Sequence, residues 1–266
     1  DLSFGVGMRI VAERGNLLGA RLSGVTAEIP DLESLDEMLN IRGEAQGPTG
    51  EFLRFIEQSP VSAKIDHFTQ GMKAEGTGRL ELAFDLPLRR PQDTRLRGDY
   101  RFQNNQLELL AALPPLTQVN GTLAISDSAV SAQEITGRAF GGPLKVGIRS
   151  LPDRIAVRAA GTANVADLGR HFAVPGRERL EGSAAWKSDI AIRRRNADFV
   201  VESDLVGISS SLPEPLGKAA ATPVALRVER VAPDAAQEQF SVTLGKVLRA
   251  SFLSRGDRLE RAAIVL

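Results

Sequence analysis

Arg79-Leu80-Glu81-Leu82-Ala83-Phe84-Asp85-Leu86 sets apolar residues at every second position. Successive side chains of an extended chain point to opposite faces, so Leu80, Leu82, Phe84 and Leu86 share one face and Arg79, Glu81 and Asp85 the other. Helical spacing would scatter the same residues around a cylinder. The pattern returns at Leu96-Arg97-Gly98-Asp99-Tyr100-Arg101-Phe102, with Leu96, Tyr100 and Phe102 on one side and Arg95, Arg97, Asp99 and Arg101 on the other. Further strands are predicted at Val119 to Ile125, Leu144 to Ile148, Ile155 to Ala159, Leu180 to Trp186, Phe199 to Leu205, Val224 to Val228 and Phe240 to Leu244. Turns are predicted at Asn104-Asn105, Asp127-Ser128, Gly141-Gly142-Pro143, Pro152-Asp153 and Pro233-Asp234. The expected fold is mainly β: a long antiparallel meander, strongly twisted and curled into a groove, with a few short helices.

Three strands share the form apolar-x-Gly-x-small/apolar-x-apolar, around Gly98, Gly121 and Gly182. A strand glycine marks a bulge or bend, which suits a sheet that curves, or it is turn punctuation. The glycines stand 23 and 61 residues apart, which excludes a fixed-period solenoid. Helices are predicted at Thr49 to Gln58, where Phe52, Phe55 and Ile56 form a stripe before Pro60, and at Ala166 to Phe172, with Asp31 to Leu39 as a third. Such helices would cap an end of the sheet or plug its concave face. The chain is expected to be one continuous segment, 1–266, with no clear internal domain boundary.

Composition narrows the function. At 42% apolar residues the 266-residue chain must bury a core. Its 33 Lys plus Arg balance 33 Asp plus Glu, which leaves no field to draw polyanions, and 5% aromatics are too few for base-stacking platforms, so nucleic acid is not an expected partner. Cysteine is absent, removing disulfides, thiolate nucleophiles and Cys-based zinc sites. Apolar runs such as Leu109 to Leu113 are far shorter than the roughly 20 residues of a spanning helix. The opening Asp1 follows no signal-like segment, so the chain reads as an interior piece whose anchor lies outside it.

Chemistry-bearing patterns are sparse. His67 and His171 stand far apart and outside any ligand spacing. Ser209-Ser210-Ser211 lacks a nucleophile-elbow context and reads as a polar turn, and Gly5-x-Gly7 and Gly76-x-Gly78 read as strand glycines rather than a phosphate loop. Arg193-Arg194-Arg195 reads as a solvated strand tip, with a lipid-headgroup contact as the sharper alternative. Carboxylates fall mostly on outward strand positions. No enzyme, catalytic residue, metal site or cofactor is expected.

Several stretches resemble a known family: Leu113-Pro-Pro-Leu-Thr-Gln-Val-Asn-Gly-Thr-Leu123, Thr136-Gly-Arg-Ala-Phe-Gly-Gly-Pro-Leu144, Ser203-Asp-Leu-Val-Gly-Ile-Ser-Ser-Ser-Leu-Pro-Glu-Pro-Leu-Gly-Lys218, and the helix-like Gly50-Glu-Phe-Leu-Arg-Phe-Ile-Glu-Gln-Ser-Pro60. Together they are similar to the YhdP family of AsmA-like bacterial envelope proteins, from about Val25 to Val228. The resemblance implies an inner-membrane-anchored protein whose periplasmic part is a long curled β-sheet with an apolar inner face. It implies bridge-like transport of phospholipid toward the outer membrane, in support of the permeability barrier. Its partners would be phospholipid acyl chains, flanking segments of the same full-length chain and envelope proteins.

The alternation suits that role on physical grounds. Each exposed acyl CH₂ costs about 0.8 kcal/mol, so about sixteen carbons in water cost on the order of ten kcal/mol. A strip of aliphatic side chains lowers that barrier without binding lipid deeply at any one step. Leu80, Leu82, Phe84, Leu86, Leu96, Tyr100, Phe102, Leu123, Ile125, Ile155, Val157, Leu180, Trp186 and Ile192 are the expected lipid-facing residues. Two alternatives stand beside this reading: the same residues as the dry core of a β-sandwich, and an envelope scaffold that binds protein partners through its sheet edges.

Overall fold

The computed structural model describes residues 7–17, 19–58, 62, 69–109, 114–127, 129–172, 174, 176–193, 196–232, 237–256 and 258–265. The expectations for His67, Arg194, Arg195, Ser128 and Pro233-Asp234 lie outside these residues. The chain divides into two compact units, 1–109 with 117–135, and 110–116 with 136–266.

The first unit holds β1 (Met8–Leu17), β2 (Ala20–Ile29), β3 (Met38–Pro48), β4 (Lys73–Pro87), β5 (Arg95–Glu108), β6 (Leu116–Ser126) but for its first residue, and the start of β7 (Val130–Ala139). The second holds the end of β7, then β8 (Gly142–Leu151), β9 (Arg154–Asn164), β10 (Leu180–Arg193), β11 (Asn196–Ser203), β12 (Ile208–Ser210), β13 (Leu226–Val231), β14 (Gln237–Leu244), β15 (Leu248–Arg255) and β16 (Arg258–Val265). Strand order follows sequence order from β1 to β16, with only β12 off the path, pairing β10. The neighbours β1 to β5 pair antiparallel. So do the neighbours from β8 to β16. Mainly β, antiparallel and meandering, the fold agrees with the periodicity.

Two α-helices occur among the described residues, each inserted between neighbouring antiparallel strands: α1 (Thr49–Gln58) after β3 and α2 (Val165–His171) after β9. Asn164 caps α2, its side chain accepting from the Ala166 N–H at 2.9 Å. The predicted helix over Asp31–Leu39 is absent. Residues 31–37 form turns and β3 begins at Met38. There the Asp31 side chain takes the Glu33 N–H at 2.8 Å and Ser34 takes that of Asp36 at 3.2 Å, local bonds that compete with a helix. Leu35 stays 81% exposed, so no apolar stripe is anchored.

Asn104-Asn105 is a bulge inside β5, not a turn. The ladder pairs Glu75 with Gln106 but Thr77 with Gln103, so β5 carries one extra residue, and Asn104 takes φ 52° to absorb it. Ser209 and Ser210 likewise belong to β12, paired with Glu181 and Leu180, rather than to a polar turn. The turn expected at Gly141-Gly142-Pro143 falls one residue earlier, on Phe140-Gly141, and β8 begins at Gly142. The strand expected to run to Leu205 stops at Ser203, because Leu205 turns to φ 52°. Two of the three recurring strand glycines, Gly121 (φ 135°) and Gly182 (φ 106°), hold backbone conformations closed to other residues, which makes them bends rather than punctuation.

Candidate functional site

In the first unit the ladder aligns apolar residues into rows across five strands. Ile10 faces Ala27, Ala27 faces Ile41, Ile41 faces Phe84, and Phe84 faces Leu96. A second row joins Leu22, Ala45, Leu80 and Tyr100. Leu82 lies between them, opposite Gly43 and Gly98, and Leu86 pairs with Leu39. Directly paired residues share a face, so the expected site residues of β4 and β5 form one surface. Leu123 and Ile125 of β6 pack against its Tyr100 end.

That end is closed by α1. Phe52 sits on Tyr100 with ring centroids 5.2 Å apart, and Tyr100 meets Phe102 at 4.9 Å, both edge-on. Tyr100 lies across Gly78, where any Cβ would collide with its hydroxyl. The hydroxyl donates to Thr49 Oγ1 at 2.8 Å, and fully buried Asn105 donates to the same oxygen at 2.6 Å and to the Glu75 carbonyl at 3.0 Å. Burial pushes the Tyr100 pKa up to about 12, although the bond to Thr49 pulls it down. At the other end of the same strands stand the ion pairs Arg90–Asp36 at 3.0 Å and Arg89–Glu37 at 3.3 Å.

In the second unit the rows are longer. Val146, Ala159, Ser188, Val201, Val228, Val242, Ala250 and Ile264 follow one another through successive pairs. Beside them runs Ile148, Val157, Ile190, Phe199, Arg230, Phe240, Phe252 and Ala262. Ile155 pairs with Ile192, and Trp186 lies over Gly161, its Cζ2 3.3 Å from where a Cβ would stand. Here α2 and β12 close one end: Val165, Ala184 and Ile208 form a buried cluster that takes in Leu180. Leu180 therefore belongs to the cap rather than to the open rows. Phe140 meets both Trp186 and Phe172 with centroids 6.1 Å apart.

Arg230 is the one charged member of its row. It turns its guanidinium to the strand ends, donating to the Ala197 carbonyl and pairing with Glu238 at 2.5 Å. Arg193–Asp198 at 2.9 Å and Arg154–Asp153 at 2.9 Å stand at the same end of their strands, away from α2.

The opposite faces are wet and ion-paired, as alternation requires. Arg79 pairs with Glu44 at 2.5 Å and Arg42 with Asp85 at 2.9 Å. Glu202 accepts from Lys187 at 3.0 Å and Arg227 at 2.7 Å, and these two cations hold its carboxyl below the usual range.

Of the fourteen expected site residues, Tyr100 is buried and thirteen are partly exposed. Sequence reading missed most of the rows. Alternation in Phe240-Ser241-Val242-Thr243-Leu244 and Leu226-Arg227-Val228 carried the signal for two strands already recognised. In β2 the signal is broken, because a register shift between Ser23 and Thr26 moves the inward residues from even to odd numbers, from Leu22 to Ala27.

Among the described residues no helix is long and apolar enough to cross a membrane. No solved structure matches the chain. A protein of Escherichia coli (strain K12) named intermembrane phospholipid transporter YhdP is 28% identical over 225 residues, which cover 80% of this chain and 17% of that relative. The chain thus matches less than a fifth of the relative's length. The YhdP protein family matches residues 4–266, essentially the whole described sheet, and the chain belongs to that family.

Proposed function

We propose that this chain is a periplasmic length of a phospholipid carrier working between the inner and outer membranes, non-catalytic, with acyl chains lying against the apolar face of each unit. The observation that carries the reading is the set of apolar rows, five strands wide in one unit and eight in the other and broken only by Ser188 and Arg230, in which every member but Tyr100, Ser188 and Ala250 stays at least partly open to solvent. A dry sandwich core would take such residues out of water. The Escherichia coli relative's name as an intermembrane phospholipid transporter supports the same reading. Leu80, Leu82, Phe84, Leu86, Leu96, Phe102, Ile155, Val157, Trp186 and Ile192 would form the sliding surface, where dispersion and water exclusion hold a chain without fixing it in place. Anchoring in the inner membrane would come from a helix elsewhere in a longer protein.

Native mass spectrometry with lipid extraction tests this on the chain purified from cells, beside a Leu82→Asp plus Phe84→Asp variant checked by circular dichroism. Phospholipid bound by the wild type and lost from the folded variant is the expected result. A folded wild type that carries no lipid under any loading condition would rule the reading out.

A further inference from the structure

Each unit builds its apolar face with the same asymmetry. A short helix and an aromatic cluster close one end of the strands, and arginine–carboxylate pairs line the other. In the first unit the closed end is Phe52 on Tyr100 and the charged end is Arg89, Arg90, Asp36 and Glu37. In the second the closed end is Phe140 on Trp186 beneath α2, and the charged end of the apolar face is Arg230 with Glu238. The aromatic ring at each closed end is laid over a glycine of the neighbouring strand, Gly78 or Gly161, so both floors rest on the same local device.

The distance between the two ends is fixed by strand length. From Leu80 to Leu86 on β4 and from Trp186 to Ile192 on β10 the chain advances six residue steps, about 20 Å of extended chain. One leaflet of acyl chains, half of a bilayer's hydrocarbon core, is about 15 Å deep. An acyl chain laid along the strands would fit between floor and rim. Each rim sets guanidinium and carboxylate side by side, the charge complement of a headgroup that carries both a phosphodiester and an ammonium.

We propose, building on the carrier function above, that the two aromatic floors are acyl-length stops: zwitterionic phospholipid lies in each unit with its chain ends against the floor and its headgroup at the arginine–carboxylate rim opposite the helix. Phe52 with Tyr100, and Trp186 with Phe140, are then specificity-determining residues. The rim pairs are exchangeable, because a headgroup that takes both charges at once leaves neither uncompensated. They orient the lipid without trapping it.

Trp186 is the only tryptophan and reports on the second floor directly. The chain is loaded from vesicles of phosphatidylethanolamine brominated either near the acyl terminus or near the carbonyl, and separated from the vesicles. Loading is confirmed by native mass spectrometry. Terminal bromines are expected to quench Trp186 severalfold more than carbonyl-proximal ones. The reverse order, or no quenching in a chain shown to carry lipid, overturns the orientation while leaving the carrier function intact. A chain that never loads removes the carrier function instead. For the first floor, competition among phosphatidylethanolamines of increasing acyl length is compared between wild type and Phe52→Leu. The smaller side chain is expected to raise the share of the longest lipid severalfold. An unchanged length profile in the folded variant overturns the stop.

Discussion

Tyr100 is the single tyrosine of the chain, which makes its environment measurable. Burial holds it protonated up to about pH 12, against 10.0 for a free side chain. The unfolded chain would release that proton near pH 10 and the folded one would not. Stability from this group is therefore complete below pH 10 and is lost as pH rises toward 12. An ultraviolet titration of the phenolate should show one transition near 12 in the native protein and one near 10 in urea; a native transition near 10 would mean that Phe52 does not cover the ring. Tyr100→Phe should remove the alkaline loss and cost about 1 kcal/mol at neutral pH, since Thr49 Oγ1 still accepts from Asn105. Phe52→Ala, which strips the ring from the buried cluster, should cost about 3 kcal/mol in urea unfolding.

Bulges and close approaches, more than helices, set what each strand presents. Gly182 stands at φ 106° where a Cβ would collide with the Gly207 carbonyl, so Gly182→Ala should destabilise by about 1–3 kcal/mol and loosen β12 from β10. Hydrogen exchange at Ser183, whose N–H donates to the Gly207 carbonyl, and at Ser211, whose N–H donates to that of Arg179, would show that loosening, while protection equal to wild type would mean the approach relaxes freely. Lys187, Glu202 and Arg227 tie three adjacent strands on the polar face. Since Glu202 has its carboxyl depressed by these cations, its contribution is present above the ordinary carboxylate range and is lost as pH falls through its lowered value. Glu202→Gln should flatten that part of the acid stability profile, and an unaltered profile would show the pair to be screened away.

For the whole chain, a ligand that binds only the folded form raises its stability by mass action. Loading with phosphatidylethanolamine should therefore raise the thermal midpoint, and Leu82→Asp plus Phe84→Asp should lose that increment. Much of the fold was legible beforehand, because β4, β5, β9 and β10 alternate cleanly and long registers leave little choice of face. β1, β2, β3, β7, β12, β15 and β16 are not legible in the same way. Their apolar residues are interrupted by bulges, as in β2, or run consecutively, as in Ala262-Ala263-Ile264-Val265 of β16, and only pairing with a neighbour shows which face each belongs to.

The sequence by itself determined the class of fold, the polarity of the two sheet faces, the two helices and the family, because alternation and helix stops are local properties of the chain. Only the tertiary structure decided which residues form continuous rows, that Asn104-Asn105 is a bulge rather than a turn, and that each helix closes one end of an apolar face and leaves a charged rim at the other. Those outcomes depend on register and on contacts between distant segments, such as Asn105 reaching Thr49 and Tyr100 lying over Gly78, and no local pattern encodes which strand will stand beside which.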